Sequence, residues 1–227
     1  MSTSNAATVF LFGPQCLSFD SETLTQLRSL VVESHSSVWL DTIGELPGYW
    51  KTLVSKFPAL AALGGGDQLQ ELNTFFKTGT ITPALIQLPN VILTPIVVLT
   101  HLAHYVRYVE QQVSSTGGDA EDVFASFAQR HIETLGFCTG LLSAYAIASS
   151  SNRSELQQYG AAAIRLAMLV GAIVDAQEAP GSVYGPSKLF SVSWNTPETG
   201  DKIKQILDLF PEVRPKISMA ISHDVLI

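Results

Sequence analysis

Gly136-Phe137-Cys138-Thr139-Gly140 is the stretch of this sequence with the most specific chemical potential. A short apolar strand candidate, Ile132 to Phe137, precedes it and a small-residue helix begins at Thr139, so Cys138 stands where a strand turns into a helix. Gly-x-Cys-x-Gly at such a junction has the form of a nucleophile elbow, a sharp turn that lifts one side chain clear of the sheet. The glycines Gly136 and Gly140 would admit a strained backbone and leave room for a neighbouring strand and for substrate. The helix that follows points its N–H groups and positive dipole end at the sulfur, a setting that favours thiolate chemistry, here acyl capture. A cysteine attacking a thioester forms another thioester of similar energy, and the acyl group can then pass to a third thiol, which favours transfer over hydrolysis. Taken alone, the five residues fit a structural cysteine in a glycine-bounded turn equally well.

Other elements must hold that turn in place. Val9-Phe-Leu-Phe12 reads as a buried strand that runs into Gly13-Pro14, and the loop Leu11-Phe-Gly-Pro-Gln-Cys16 could bring a second oxyanion donor opposite the N–H of Thr139. Asp20 and Ser21 look like the cap of a helix through Leu24, Leu27, Leu30 and Val31. Pro47, Pro58 and Gly64-Gly-Gly66 suggest short helices and loops. A helix follows Pro95 through Val98, Leu102, Tyr105 and Val109 and closes before Ser114-Ser-Thr-Gly-Gly118. Asn152 and Glu155 are spaced as a capping box for a helix with Leu156, Tyr159, Ala163, Leu166, Val170 and Val174 on one face. The alternation is α/β. After Ala179-Pro-Gly181 the pattern becomes strand (Lys188 to Trp194), helix (Thr199 to Phe210) and strand (Lys216 to Ile221), which divides the chain into a core over 1–180 and the start of a small β-α-β subdomain over 181–227.

Composition narrows the partners. The 227 residues carry 13 Lys+Arg against 20 Asp+Glu, a net charge of −7, with no basic cluster, which removes the electrostatic basis for binding nucleic acid. With 46% hydrophobic and 15% charged residues the chain is a folding sequence, not a disordered one. The most apolar stretch, Val91 to Val98, is interrupted by Pro95 and followed by His101 and His104, short of a membrane span. The N-terminus has no basic region ahead of its apolar run, and two cysteines, Cys16 and Cys138, make neither a disulfide framework nor a metal site; the expected setting is reducing and cytoplasmic.

Leu11-Phe-Gly-Pro-Gln15, Leu88-Pro-Asn-Val-Ile-Leu-Thr-Pro95 and Leu135-Gly-Phe-Cys-Thr-Gly-Leu-Leu-Ser-Ala144 together resemble the starter-unit acyl carrier protein transacylase domain of fungal non-reducing polyketide synthases, over essentially the whole chain. The resemblance implies a malonyl-transacylase-like fold, an α/β-hydrolase-like core with a small ferredoxin-like subdomain that is incomplete here. It implies that Cys138 takes an acyl group from coenzyme A or a fatty acid synthase carrier protein and hands it to the phosphopantetheine thiol of the polyketide synthase carrier domain, with no bound cofactor. Gln15 would match the family's oxyanion-loop glutamine, with Thr139 contributing its amide. Related malonyl transferases read Gly-His-Ser-x-Gly at the elbow, so Phe137 and Cys138 depart from them together. Those enzymes also hold the malonyl carboxylate with an arginine before a glycine; here Val170 precedes Gly171. A buried free carboxylate would lack a partner, so the implied substrate is an uncharged monoacyl group against Phe137 and Val170. Arg165 reads as one half of a salt bridge.

The expected histidine base is missing from its usual motif. After Cys138 the chain has one histidine, His223, in a turn between two apolar runs. His101 and His104 share a helix face but suggest packing or solvation, His131 reads as a strand start, and His35 as surface. Cys16 reads as core, and Trp39, Trp50 and Trp194 as packing. Val225-Leu-Ile227 ends inside an apolar strand pattern, the expectation being the N-terminal part of a larger acyltransferase unit. Two further readings stay open: a non-catalytic remnant that only binds carrier protein, and a cysteine hydrolase.

Overall fold

The computed structural model describes residues 9–14, 19–83, 85, 88–119, 121–124 and 133–178, together with Thr196, Glu198, Asp201, Lys202 and Gln205. The chain divides into two compact units, Met1–Ser187 and Lys188–Ile227. In the second, Glu198, Asp201, Lys202 and Gln205 are helical. The two strands expected there, and the boundary near residue 180, lie outside the described residues.

The first unit is mostly helical around a small parallel sheet, an arrangement compatible with α/β. In chain order it comprises β1 (Val9–Phe12), α1 (Ser21–Val32), α2 (Leu40–Lys56), α3 (Gly65–Thr78), α4 (Asn90–Thr116), β2 (Glu133–Gly136), α5 (Gly140–Ala148) and α6 (Arg153–Glu178), with 3-10 turns at His35–Trp39 and Pro58–Leu63. β1 and β2 pair in parallel, Val9 against Glu133 through Phe12 against Gly136. Parallel strands need a long crossover, and α1 to α4 supply it.

Local signals at two helix starts act as the sequence suggests. The Asp20 carboxylate accepts the Thr23 N–H at 2.8 Å, and the Asn152 side chain accepts the Glu155 N–H at 2.9 Å. Glu155 reaches back one residue further than a capping box requires, to the N–H and hydroxyl of Ser151. Trp39 and Trp50 are buried, and the Trp39 indole N–H donates to the Gln157 carbonyl at 3.1 Å.

Four expectations need correction. α2 runs through Pro47 as one 17-residue helix, because Thr42, Ile43, Leu46 and Trp50 are buried around it. α4 starts at Asn90, not after Pro95, and ends at Thr116, not before Ser114. An interior proline costs about 3 kcal/mol, but roughly 1.5–3 kcal/mol comes from burying each large apolar side chain, and Ile92, Ile96, Leu99 and Leu102 are all fully buried. Burial therefore outweighs the proline. Ser114 and Ser115 bond back to the carbonyls of Glu110 and Gln112, and Gly117 closes the helix in a left-handed conformation. On α6 the buried face is Leu156, Ala163, Ile164, Ala167, Met168 and Ala172; Tyr159, Leu166 and Val170 are exposed and Val174 is half-buried. Finally, β1 is buried on one face only: Phe10 and Phe12 point inward while Val9 and Leu11 are exposed.

α4 and α6 make the most extensive helix pair and form the centre of the core. Both are long and apolar enough to cross a bilayer by length and composition, contrary to the reading of a broken apolar stretch. They pack on each other instead. Their ends are locked: the Asp175 carboxylate of α6 accepts the Asn90 N–H (3.0 Å), the Asn90 side-chain amide (2.8 Å) and the Val91 N–H (2.8 Å) at the α4 N-terminus. Gly171 lies against the same point, where a Cβ would fall 2.1 Å from the Asn90 carbonyl oxygen.

Candidate active site

β2 ends at Gly136, and the Phe137 N–H donates to the Phe12 carbonyl at 3.0 Å, extending the strand pairing by one residue. The chain then reverses at Cys138, whose φ is +55°. A non-glycine residue in the left-handed region carries roughly 1–2 kcal/mol of steric cost, so something must hold it there. Three hydrogen bonds do: Gly140 N–H to the Phe137 carbonyl (3.0 Å), Leu141 N–H to the Cys138 carbonyl (3.0 Å) and Leu142 N–H to the Thr139 carbonyl (3.1 Å). The turn passes directly into α5.

The two flanking glycines are there because nothing larger fits. A Cβ on Gly136 would sit 2.5 Å from the Gly140 carbonyl oxygen and from the Leu141 Cα; a Cβ on Gly140 would sit 2.1 Å from the Phe12 carbonyl oxygen. α5 thus enters against the ends of both strands, and Thr134 of β2 donates its hydroxyl to the Ala144 carbonyl of α5 at 3.3 Å.

The elbow presents Cys138 as an exposed free thiol, with Sγ 3.8 Å from the Thr139 hydroxyl oxygen. Thr139 is buried and precedes α5 without capping it through its side chain. Among the described residues, no acceptor takes the Thr139 N–H. The Gly140, Leu141 and Leu142 amides are engaged within the turn, so Thr139, at the positive dipole end of α5, keeps the N–H that the turn does not use.

Sequence-predicted site residues are only partly brought together. Gly136, Phe137, Cys138, Thr139 and Gly140 form one turn, with Phe137 66% exposed. Val170 stands on a different element, α6, and is 39% exposed. Gln15 and Cys16 lie outside the described residues, as do His131, Trp194 and His223. Arg165 binds Glu45 of α2 (2.7 Å) and stacks over Tyr49, 5.0 Å from its ring centre, as the salt-bridge reading expects. His35 is exposed and hydrogen-bonded to the Glu110 carboxylate at 2.6 Å.

The expected helix-face pair separates into two roles. His104 is exposed and lines a cleft of about 670 Å³ with Arg107 and Glu110, while His101 is half-buried against α5 and β1. The His101 Nδ1 lies 3.0 Å from the hydroxyl of fully buried Ser143 on α5, and its ring packs 5.5 Å from Phe12. Burial, with His104 nearby, lowers its pKa to about 4, so the imidazole is neutral at neutral pH. Spacing alone gives no sign of this bond, because Ser143 is 42 residues away in a run of small residues. Among the described residues, no three His, Cys, Asp or Glu side chains cluster as metal ligands.

Residues 68–221 match the family model described as starter unit:ACP transacylase in aflatoxin biosynthesis. The chain is 45% identical over 207 residues to the non-reducing polyketide synthase pigA of Monascus ruber, covering 91% of this chain and 8% of that protein. It is 42% identical to the non-reducing polyketide synthase epaA of Aspergillus niger (93% and 8%) and 41% identical to clavatol synthase claF of Penicillium crustosum (90% and 8%). The chain therefore spans about 8% of the length of these relatives. With its family model matched over more than half its length, the chain belongs to the starter unit:ACP transacylase family.

Proposed function

We propose that this chain is the acyl-loading part of a non-reducing polyketide synthase, moving a starter acyl group between thioesters through Cys138. The observation that carries the proposal is the exposed Cys138 thiol on a left-handed residue at a glycine-bounded elbow, in a chain of this family. The Cys138 thiolate attacks the carbonyl carbon of an acyl thioester of coenzyme A or carrier protein; the C–S bond to the donor breaks, and the departing thiolate takes the proton Cys138 gave up. The phosphopantetheine thiol of the synthase's carrier domain then attacks the acyl-cysteine, and the Cys138 thiol is regenerated. Donor, intermediate and product are all thioesters, so the transfer needs neither a redox cofactor nor an activating one.

In this reading the Thr139 N–H and a donor from the Gln15 loop bind the tetrahedral oxyanion. Phe137 and Val170 form apolar walls for an uncharged monoacyl chain. The Arg165–Glu45 pairing supports that choice, since the guanidinium is already engaged on α2. The parallel β1–β2 pair feeding α5 supports a malonyl-transacylase-like, α/β-hydrolase-like core over 1–180, and the family resemblance adds the start of a ferredoxin-like subdomain over 181–227. The setting proposed is cytoplasmic.

Intact-protein mass spectrometry after incubation with a panel of acyl-coenzyme A donors tests the proposal. One acyl mass added to the wild-type chain and none to Cys138→Ala is the expected result. A folded wild-type chain that gains no adduct, or a Cys138→Ala chain that still gains one, overturns it. An adduct released as free acid, with none passed to carrier protein, would point to hydrolysis instead.

A further inference from the structure

We propose that His101 is a positioning residue for the elbow: through Ser143 and Phe12 it fixes the rotation of α5 and, with it, the direction in which Cys138 projects. This inference rests on the acyl-transfer reading above for its catalytic consequence, but its structural content stands on geometry.

α5 has nine residues, too few to hold a helix by local propensity. Its placement comes from packing against β1, β2, α4 and α6. Apolar contacts are non-directional, and the small side chains Ala144 and Ala146 permit a slip or rotation at little cost. The His101–Ser143 bond is directional. If α5 turned, fully buried Ser143 and half-buried His101 would lose each other, and the Ser143 hydroxyl would be left buried without its partner.

The same imidazole touches the other side of the junction. Its ring packs on Phe12, whose carbonyl accepts the Phe137 N–H and lies against Gly140. Ser143 is three residues beyond Gly140, one turn along α5, and the Leu141 N–H at the head of that turn holds the Cys138 carbonyl. A rotation of α5 therefore carries directly into the backbone of Cys138. α4, which bears His101, is itself anchored by Asp175 at its N-terminus. The neutral imidazole keeps the bond intact through neutral pH.

The test uses the full chain with His101→Ala, Ser143→Ala, the double variant and His101→Asn, whose side-chain amide can occupy the position of Nδ1. Melting curves establish that each is folded. The first readout is the rate of Cys138 alkylation by iodoacetamide, which needs no acyl chemistry; the second is the split between kcat and KM for acyl capture. His101→Ala and Ser143→Ala should each slow alkylation about threefold and lower kcat about tenfold with KM nearly unchanged, the signature of a misplaced reacting atom. The double variant should be no worse than either single one, and His101→Asn should restore most of the rate. If His101→Ala does not fold, Ser143→Ala, which removes a single oxygen atom, carries the same test. Folded variants that alkylate at the wild-type rate, or losses that add, overturn the inference. A wild-type chain that takes no acyl group overturns the acyl-transfer reading instead, while the alkylation series still decides the role of His101.

Discussion

The Phe12 carbonyl oxygen and Gly140 are in such close approach that a Cβ on Gly140 would lie 2.1 Å away, while the same oxygen accepts the Phe137 N–H at 3.0 Å. One backbone atom at the end of β1 thus sets both the last strand pairing of β2 and the entry of α5. The elbow is a product of that crowding as much as of its own five residues.

Gly140→Ala should be among the most damaging single-atom additions in the chain. The neighbour is backbone, which cannot swing aside, so α5 must shift bodily. A loss of about 2–3 kcal/mol is expected, the upper range for overpacking. Denaturant unfolding of the full chain measures it, and an unchanged midpoint would contradict the steric account.

Cys138→Gly should do the opposite. Glycine adopts φ +55° without steric cost, and removing about 1–2 kcal/mol of strain should exceed the extra entropy glycine adds to the unfolded chain, for a net gain of about 0.5–1 kcal/mol. Cys138→Ala keeps the strain and should leave stability nearly unchanged. Paired melting curves distinguish the two, and a Cys138→Gly chain less stable than Cys138→Ala would mean that the turn is not strained.

Asp175→Ala should release the N-terminus of α4, leaving two backbone N–H groups and the Asn90 amide without their acceptor. The expected cost is about 2 kcal/mol, at the high end for a cap because the contacts are partly buried. Asp175→Asn should cost less. Hydrogen exchange at Val91 measures the local effect; protection equal to wild type would rule out the cap.

Stability should fall as pH drops through the range in which the unfolded chain's histidines protonate. His101 is held down to about 4 in the folded chain, by burial first and by His104 second, against an ordinary value of 6.5. Because the folded value is the lower one, the unfolded state binds the proton first, so this contribution is full above pH 6.5 and is lost progressively as pH falls to about 4. His104, lowered by burial and by Arg107, acts in the same direction. Melting temperatures from roughly pH 7.5 to 5 should decline, and His101→Asn should flatten the slope. A decline unaffected by His101→Asn would show that His101 does not carry it.

Much of the site was legible because it is local. Gly136, Cys138 and Gly140 specify a turn through their own backbones, and Asp20 and Asn152 cap helices within three residues of themselves. The prolines are the opposite case. Pro47 and Pro95 remove one helical bond each, a local loss that marks a break in the sequence pattern; the helices persist because their faces are buried by residues far away in the chain. Apolar periodicity likewise marked α6 as a helix but not which way it turns. Leu156 and Ala163 face inward while Tyr159, Leu166 and Val170 do not, since the small residues that admit α4 choose the contact face.

By itself the sequence determined that a cysteine would stand between two glycines at a strand-to-helix turn, because bond geometry and steric size act over a few residues. Only the tertiary structure decided what braces that turn. The Phe12 carbonyl against Gly140, His101 on Ser143 and Asp175 on Asn90 join residues 42 to 128 positions apart. Such contacts leave no spacing in the sequence, because they are set by which helix faces the core buries.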